Sequence, residues 1–396
     1  MRPSEIRELV RVQPPRIGRR AALDRCHDID DLRAAARRVL PRPVFDYVDG
    51  GADEETTLAA NRDTFRRTRF RPRVLRDVAE PDTSVRLFER RLPMPLGLAP
   101  TGYTRMVDAA GEPAVARAAA AHGLPYTLST VGTSTIEQIA GTGHPDLWFQ
   151  LYMLADQDRT DALVDRAAEA GYRVLEVAVD APVAGHRGRD VRNGLTIPPR
   201  LTPRALLDIG LRPRYWTGQL RGEPLRVANL TGSGAATVAA INALFDPRVT
   251  WQNLERVRRR WPGTLLLKGP LGAADVCRAK ESGVDGVHLS NHGGRQLDRG
   301  PGPLELLAAA RAAAGADYPI LLDSGIRHGM DVAAAVALGA DACLIGRAYL
   351  YGLAAGGGPG VERALDLLTA QFRRTLQLLG VRTIAELREC EVHIDD

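Results

Sequence analysis

From residue 92 onward, short apolar runs alternate with longer segments that have the spacing of amphipathic helices. Runs such as LPMPLGLAP and RVLEVAVDAP are almost continuously apolar, which is typical of strands whose two faces are both buried. Segments such as GEPAVARAAAAHG follow them, rich in alanine and ended by glycine, as helices often are. Eight such strand–helix units predict an α/β fold of the (β/α)₈ TIM-barrel type.

An open, doubly wound sheet is the alternative for a chain that alternates strands and helices. It would carry a G-x-G-x-x-G turn after its first strand, and the turn APTGYTRM lacks that pattern. We expect residues 1–90 to form a helical segment packed on a barrel built from residues 91–396. A long excursion, residues 183–250, follows the fourth strand, and AAGGGPG at 354–360 is predicted to be a flexible linker.

Composition narrows the classes of function. The 53 basic and 48 acidic side chains are scattered and aromatic residues are few, so nucleic-acid binding is not predicted. The four cysteines form no C-x-x-C pair, and no metal site is predicted. The first residues lack the features of a signal peptide and no apolar run approaches the ~20 residues of a membrane span, so we expect a cytoplasmic protein.

The excursion contains PRYWTGQLRGEPLRVANL, in which aromatic residues lie among arginines. This composition suits either a lid over an active site or a peripheral contact with the inner face of the membrane. The broken amphipathic pattern favours the lid.

Polar residues follow the predicted strands where each one ends. In (β/α)₈ barrels the chemistry lies at the carboxyl ends of the strands, so these residues predict a binding or catalytic rim. After the last two strands, DSGIR and IGRA combine glycines with arginines, which favours a phosphorylated ligand. The polar residues at the strand ends are Thr101, Ser129, Gln150, Tyr152, Asp180, Lys268, Ser290, His292 and Asp323.

The stretch LSNHGGRQLD places His292 and Arg295 on a glycine-rich turn after the sixth strand. A neutral imidazole can accept a proton, and a guanidinium can hold a carboxylate with two hydrogen bonds. The pair therefore suits a 2-hydroxy acid as substrate. A histidine that only stabilises the loop, beside a solvated arginine, is the alternative. The other histidines, His288 among them, are predicted to be packing or surface residues.

SNHGGRQLD, with DSGIR and IGR downstream, resembles the FMN-dependent 2-hydroxy acid dehydrogenase/oxidase family. The resemblance runs from FDYVDGGADEE to EVHIDD and is greatest with bacterial FMN-dependent L-lactate dehydrogenases. It implies FMN as cofactor and a homo-oligomer, a tetramer or an octamer.

The resemblance also implies roles at the rim. His292 matches the active-site base, Asp180 the carboxylate that orients it, and Tyr152 a tyrosine that binds the substrate oxygen. Tyr47, Arg187 and Arg295 match the residues that bind the substrate carboxylate.

For the cofactor, Lys268 matches the lysine beside flavin N1 and O2. The remaining matches are Thr101 and Gly102 near N5, Ser129 and Gln150 at the ring edge, Ser290 and Asp323 as further cofactor contacts (Asp323 at the ribityl chain), and Gly325, Arg327, Gly346 and Arg347 at the phosphate.

Three positions depart from patterns common in the family. Ala178 removes a hydroxyl at the flavin edge, Val131 replaces a tryptophan and widens the pocket, and Gly102 resembles the dehydrogenases rather than the oxidases. We therefore expect oxidation of a small L-2-hydroxy acid resembling L-lactate, with a quinone or cytochrome as electron acceptor. The alternatives are an oxidase that uses O₂ on a bulkier substrate such as mandelate, a Schiff-base aldolase acting through Lys268, and a non-catalytic metabolite-binding barrel.

Overall fold

The computed structural model describes residues 18–194, 203–230 and 246–395. Eight parallel strands close into a barrel, in the order β10-β11-β4-β5-β6-β7-β8-β9, which confirms the predicted (β/α)₈ architecture. The barrel strands are β4 Leu96–Leu98, β5 Tyr126–Ser129, β6 Leu147–Leu151, β7 Val174–Ala178, β8 Thr264–Gly269, β9 Gly286–Leu289, β10 Ile320–Leu322 and β11 Ala342–Ile345.

Helices surround the barrel and connect its strands on the outside. Their inner faces are apolar and buried against the strands, as the spacing of the sequence predicts. They are α5 Thr104–Val107, α6 Gly111–Ala121, α7 Ile136–Ala140, α8 Gln157–Glu169, α12 Trp251–Arg260, α13 Ala273–Glu281, α14 Pro303–Ala314, α15 Gly329–Ala337, α16 Arg347–Gly356, α17 Gly358–Leu379 and α18 Ile384–Arg388.

The N-terminal segment is helical only in part. Helices α1 Arg19–Asp24, α2 Ile29–Val39, α3 Arg42–Asp49 and α4 Thr56–Arg66 agree with the helical prediction, and residues 1–17 lie outside the described residues. Beyond them the prediction is wrong, because the chain becomes extended and forms strands. These are β1 Thr68–Phe70, which pairs with β12 Val392–Ile394, and the hairpin of β2 Val85–Leu87 and β3 Arg90–Leu92.

Apolar side chains of the β2–β3 hairpin pack into the amino-terminal end of the barrel. Leu87 and Leu92 join a buried cluster with Trp148 of β6, Leu266 of β8 and Leu321 of β10. Because side chains alternate along a strand, the next inward position lies two residues further on. The interior is therefore apolar at the hairpin end and turns polar towards the carboxyl ends of the strands.

The glycine run at 354–360 is not a flexible linker. Helix α16 continues to Gly356 and α17 begins at Gly358, so a single residue separates the two helices. A Cβ atom added at Gly352 or Gly360 would overlap the backbone of the other glycine. The glycines therefore permit close helix packing, which the sequence pattern alone did not distinguish from flexibility.

The excursion after β7 has three described helices. These are α9 Gly188–Arg192, α10 Pro203–Gly210 and α11 Pro213–Arg221, and the predicted excursion also includes residues 195–202 and 231–245, which lie outside the described residues. The Tyr215 hydroxyl donates to the carbonyl of Met106 at 3.0 Å, and Gln219 Nε2 donates to the carbonyl of Arg105 at 2.8 Å. Helix α11 is thus held beside the carboxyl end of β4, at the rim.

Candidate active site at the carboxyl rim of the barrel

A histidine–carboxylate pair lies at the centre of the rim. His292 Nδ1 is 3.0 Å from Asp180 Oδ2, and the backbone N–H of His292 donates to Ser290 Oγ at 3.1 Å. His292 has a φ of 59°, and two glycines with positive φ follow it, so the loop folds back on itself. The His292 side chain is 30% exposed and that of Asp180 only 2%. Since Asp180 holds Nδ1, Nε2 is the nitrogen available to a ligand.

A cluster of cations and one aromatic ring lies beside this pair. The guanidinium carbons of Arg295 and Arg187 lie 4.9 and 5.4 Å from the centroid of the Tyr47 ring. Burial, and then the neighbouring Arg187, lowers the pKa of Arg295, while Arg187 Nε pairs with Asp190 Oδ2 at 2.8 Å. Two neighbouring cations at a partly exposed position favour an anionic ligand beside them.

Arg295 is fixed by the helical segment as well as by its own loop. Its Nη1 donates to the carbonyls of Tyr47 at 2.6 Å and Gly50 at 3.1 Å. The other guanidinium nitrogens keep the planar donor pattern that matches a carboxylate. The end of α3 therefore contributes both the ring of Tyr47 and the support for Arg295.

Tyr152 follows β6 and is buried near Asp180. Burial, and then the charge of Asp180, raises the pKa of the Tyr152 hydroxyl, so it stays a neutral phenol. A neutral phenol can donate a hydrogen bond to a substrate oxygen.

At the ends of β5 and β6, the side-chain amide of Gln150 is oriented so that its N–H groups can donate to a ligand. Ser129 Oγ donates to Gln150 Oε1 at 2.8 Å, which fixes the orientation of the amide. Gln150 Nε2 and Asp180 Oδ1 are then buried without a hydrogen-bond partner among the described residues. Buried polar atoms need partners, so a ligand with a carbonyl edge, such as a flavin, fits against Gln150.

Gly102 and Val131 contact each other at the ends of β4 and β5. A Cβ atom added at Gly102 would lie 2.7 Å from Val131 Cγ2. Thr101 Oγ1 lies 2.7 Å from the Tyr349 hydroxyl, so this side chain is held by the protein. Two of the three departures from the family pattern are therefore sterically coupled.

The expected phosphate residues lie together at the ends of β10 and β11, where helix α16 begins. Arg347 donates from Nε, Nη1 and Nη2 to the carbonyls of Val48, Gly293 and Gly50 at 2.8–2.9 Å. Burial, and then Arg295, lowers its pKa to about 9. A guanidinium has five N–H groups, so two remain for a phosphate.

Two more of the residues expected at the phosphate, Gly325 and Arg327, lie on the loop after β10. Gly325 has a φ of 112°, and Arg327 lies over the Tyr351 ring at 5.6 Å. Gly346 directly precedes α16 and Arg347 begins it, and a helix N-terminus is a place that suits phosphate.

Lys268 and Asp323 form a buried ion pair inside the rim. Lys268 Nζ lies 2.5 Å from Asp323 Oδ2, and Ser324 Oγ donates to Asp323 Oδ1 at 2.6 Å. Burial alone would raise the pKa of Asp323, but Lys268 and His288 hold it well below its usual range. The side chain of Lys268 is therefore held in an ion pair with Asp323.

Sequence reasoning missed two residues next to this ion pair. His288 was predicted to be barrel packing, and Glu176 was not singled out. In the structure His288 Nδ1 lies 3.1 Å from Glu176 Oε1 and its Nε2 lies 3.3 Å from Asp323 Oδ2. The signal was a charged residue within the apolar strand VLEVA, on the same face of the strand as Ala178.

Comparison with known proteins agrees with the geometry. The model of the family described as FMN-dependent dehydrogenase matches residues 36–393. A Mycobacterium tuberculosis relative, provisionally named an L-lactate dehydrogenase, is 47% identical over 360 residues, which are 91% of this chain and 87% of the relative. An L-lactate dehydrogenase of Caulobacter vibrioides is 42% identical over 366 residues, 91% and 95% of the two chains.

A solved structure shares the fold closely. The monotopic membrane protein (S)-mandelate dehydrogenase superimposes with a TM-score of 0.90 at 38% identity, covering 94% of this chain and 100% of that one. The family match over most of the chain, the closed barrel and the rim residues together identify this protein as a member of the FMN-dependent dehydrogenase family, with FMN as its cofactor.

Proposed function

We propose that this enzyme oxidises a small L-2-hydroxy acid, L-lactate or a close analogue, to the 2-oxo acid. The observation that carries the proposal is the His292–Asp180 pair at 3.0 Å beside the arginines that flank Tyr47. Such an arrangement joins a proton acceptor to a carboxylate-binding site, as a 2-hydroxy acid requires. The names of the curated relatives point to L-lactate.

In this proposal, Arg187 and Arg295 bind the substrate carboxylate with Tyr47, and Tyr152 holds the hydroxyl oxygen. His292 accepts the released proton at Nε2, and Asp180 stabilises the resulting imidazolium, as in other histidine–aspartate pairs. When bound, FMN accepts the two electrons that leave the substrate.

The residues that would hold FMN lie on or directly after seven of the barrel strands. Lys268 compensates negative charge at the pyrimidine edge of the ring, and Gln150 donates to a ring carbonyl. The other proposed contacts are Thr101, Gly102, Ser129, Ser290, Asp323, Gly325, Arg327, Gly346 and Arg347.

Two competing functions differ in what the site must offer. An aldolase would need Lys268 as a free amine, but this side chain lies in an ion pair with Asp323. An oxidase acting on mandelate is the stronger rival, because a mandelate oxidase superimposes with a TM-score of 0.81 at 37% identity, covering 93% of this chain and 99% of that one. Val131 leaves room for a larger substrate than a tryptophan would.

The test is anaerobic bleaching of the bound flavin by a panel of hydroxy acids. We expect L-lactate to reduce it, D-lactate to fail, and (S)-mandelate to be slower in kcat/KM. Reoxidation by a quinone should then be faster than by O₂. Preference for mandelate, or faster reoxidation by O₂, would favour the oxidase, and no bleaching by any hydroxy acid would reject the proposed reaction.

We further propose that helices α10 and α11 contact a membrane surface. Four leucines on or next to these helices are 55–78% exposed. Arginines lie among them, which suits an anionic lipid surface. Among the described residues, no helix is both long and apolar enough to cross a bilayer. The exposed leucines are Leu206, Leu207, Leu211 and Leu220.

Vesicle co-sedimentation tests this contact. Leu206→Ser/Leu207→Ser should bind less to anionic vesicles and keep its turnover with a soluble dye, while an exposed leucine elsewhere, Leu378→Ser, serves as control. Sedimentation velocity measures the proposed homo-oligomer in parallel. A fall in assembled mass with unchanged vesicle binding would assign the leucines to a subunit interface instead.

A further inference from the structure

Four ionisable groups form a continuous line inside the barrel, below the rim. Glu176 on β7 contacts His288 on β9 at 3.1 Å, and His288 lies 3.3 Å from Asp323 after β10. Asp323 in turn pairs with Lys268 of β8 at 2.5 Å. The side chains of Glu176 and His288 are fully buried. Only Lys268 and Asp323 of this line have proposed roles at the cofactor.

Three charged side chains act on His288. Its Cα is paired with those of Lys268 and Leu321 on the adjacent strands, and Glu176 is paired with Gln150 and Leu266. The charged groups that act on His288 are Lys268, Glu176 and Asp323. The charge of this cluster is therefore the sum of the charges of these three side chains and His288.

Counting charges identifies the favoured state of His288. With two carboxylates and one ammonium, the cluster carries −1 if the imidazole is neutral and 0 if it is protonated. An uncompensated charge in a dry interior is costly, so neutrality favours the imidazolium. Burial and Lys268 lower the pKa of His288, but Glu176 and Asp323 outweigh them, and its pKa is raised.

We propose that Glu176 keeps His288 as an imidazolium, so that the cluster is neutral and the charge of Lys268 is available to the reduced cofactor. Glu176 and His288 are thus positioning residues that act through Asp323 and Lys268. The inference rests on the proposed function in one respect, the placement of Lys268 beside the flavin. A cluster at −1 would repel the negative charge that the ring gains on reduction.

The test compares the wild type with His288→Leu, Glu176→Leu and the double variant. At a pH where Glu176 remains ionised, His288→Leu leaves the cluster at −1, so the flavin midpoint potential should fall and reduced FMN should bind more weakly, within the about 5–150-fold range typical of coupled sites. The double variant leaves only Lys268 and Asp323, which sum to zero, and should return towards wild type. Glu176→Leu alone should not lower the potential, because it removes a negative charge.

The measurements are photochemical reduction against a reference dye and FMN titration of the apoprotein. Neither measurement needs a substrate. The role of His288 can therefore be rejected while hydroxy-acid oxidation is confirmed, and hydroxy-acid oxidation can be rejected while the role of His288 is confirmed. An unchanged potential in His288→Leu would overturn it. A double variant as impaired as His288→Leu would also overturn it, because packing rather than charge would then be responsible.

If His288→Leu does not fold, the protonation state of His288 in the wild type provides a second test of the proposal. Side-chain NMR of protein with labelled histidine, with the His288 signal assigned through His288→Gln, reports the protonation state. We expect an imidazolium at about pH 7, above the ordinary histidine pKa of about 6.5. A neutral ring at that pH would overturn the inference.

Discussion

Strand β9 and the loop after it carry two histidines that each pair with a carboxylate from strand β7 or its end. His292 pairs with Asp180 at the rim and His288 pairs with Glu176 in the interior, and in both pairs the partners are 112 residues apart in sequence. The His292 side chain is 30% exposed, while that of His288 is not exposed at all. The same two chemical groups therefore serve different purposes according to depth in the barrel.

The depth of each histidine in the barrel determines whether one of its ring nitrogens is available to a ligand. At the rim, Asp180 engages Nδ1 of His292 and leaves Nε2 for a substrate. In the interior, His288 Nδ1 is hydrogen-bonded to Glu176 Oε1 at 3.1 Å, and Nε2 lies 3.3 Å from Asp323 Oδ2, within ion-pair distance but without hydrogen-bond geometry. A histidine at the rim, such as His292, can exchange protons with a ligand. A buried histidine, such as His288, acts on the cofactor only through its charge.

The largest effect should come from removing the rim histidine. His292→Gln should retain FMN and bind the substrate, yet lose turnover by about 10²–10⁴-fold or more, because a positioned base is absent. The rate of flavin reduction against substrate concentration measures this loss. Asp180→Asn should be impaired in the same step, since the imidazolium loses its partner. Flavin reduction at the wild-type rate in His292→Gln would remove the histidine from the mechanism.

The next effect concerns binding beside the rim pair. Arg295→Met should weaken both substrate binding and turnover by about 1.5–3 kcal/mol, the range for hydrogen bonds to charged groups. Arg295→Lys should restore little of this, because an ammonium lacks the planar donor pattern. Inhibition by a 2-oxo acid product provides a binding measurement free of chemistry. Full rescue by lysine would show that charge alone suffices.

A site without ionisable groups separates packing from charge at the same rim. Gly102→Ala should place its Cβ against Val131 Cγ2 and cost about 1–3 kcal/mol in apoprotein stability, as overpacking does. Val131→Ala in the same chain should relieve the contact and recover most of that loss. Urea unfolding measures both variants. Equal stability of Gly102→Ala and wild type would mean that the two strand ends move apart freely.

The barrel and its rim could be predicted because their signals are local in sequence. Continuous apolar runs mark the strands, and polar residues such as Asp180 and Lys268 follow or end them directly. Tyr47 could not be found this way, since it lies on helix α3 and reaches the site only through the fold. Its assignment depended on the resemblance to the family.

The interior pair was missed for a different reason. A single histidine within an apolar strand, such as His288, is more often a packed residue than a charged one, and Glu176 is far away in sequence. Only closure of the barrel brings strands β7 and β9 close enough for their side chains to meet across the interior. The direct sequence signal was the charge at position 176, within a strand that is otherwise apolar.

The smallest expected effect is a pH dependence of the free energy of unfolding that arises from the interior pair, His288 and Glu176. Because the folded-state pKa of His288 is raised, its contribution to stability is complete below the unfolded pKa of about 6.5 and is lost as the pH rises through the folded pKa. The wild-type apoprotein should therefore lose stability relative to Glu176→Leu/His288→Leu over that window, by at most about 1.4 kcal/mol per pH unit.

Urea unfolding of both apoproteins between about pH 6 and pH 9 measures this difference, and the lower limit lies near the ordinary histidine pKa. Working without FMN removes the contribution of cofactor binding to stability. The exposed His27→Gln is the matched control and should run parallel to the wild type. A constant difference between wild type and double variant across the window would mean that folding does not change the protonation of His288, and the interior pair would then differ from the rim pair in burial only.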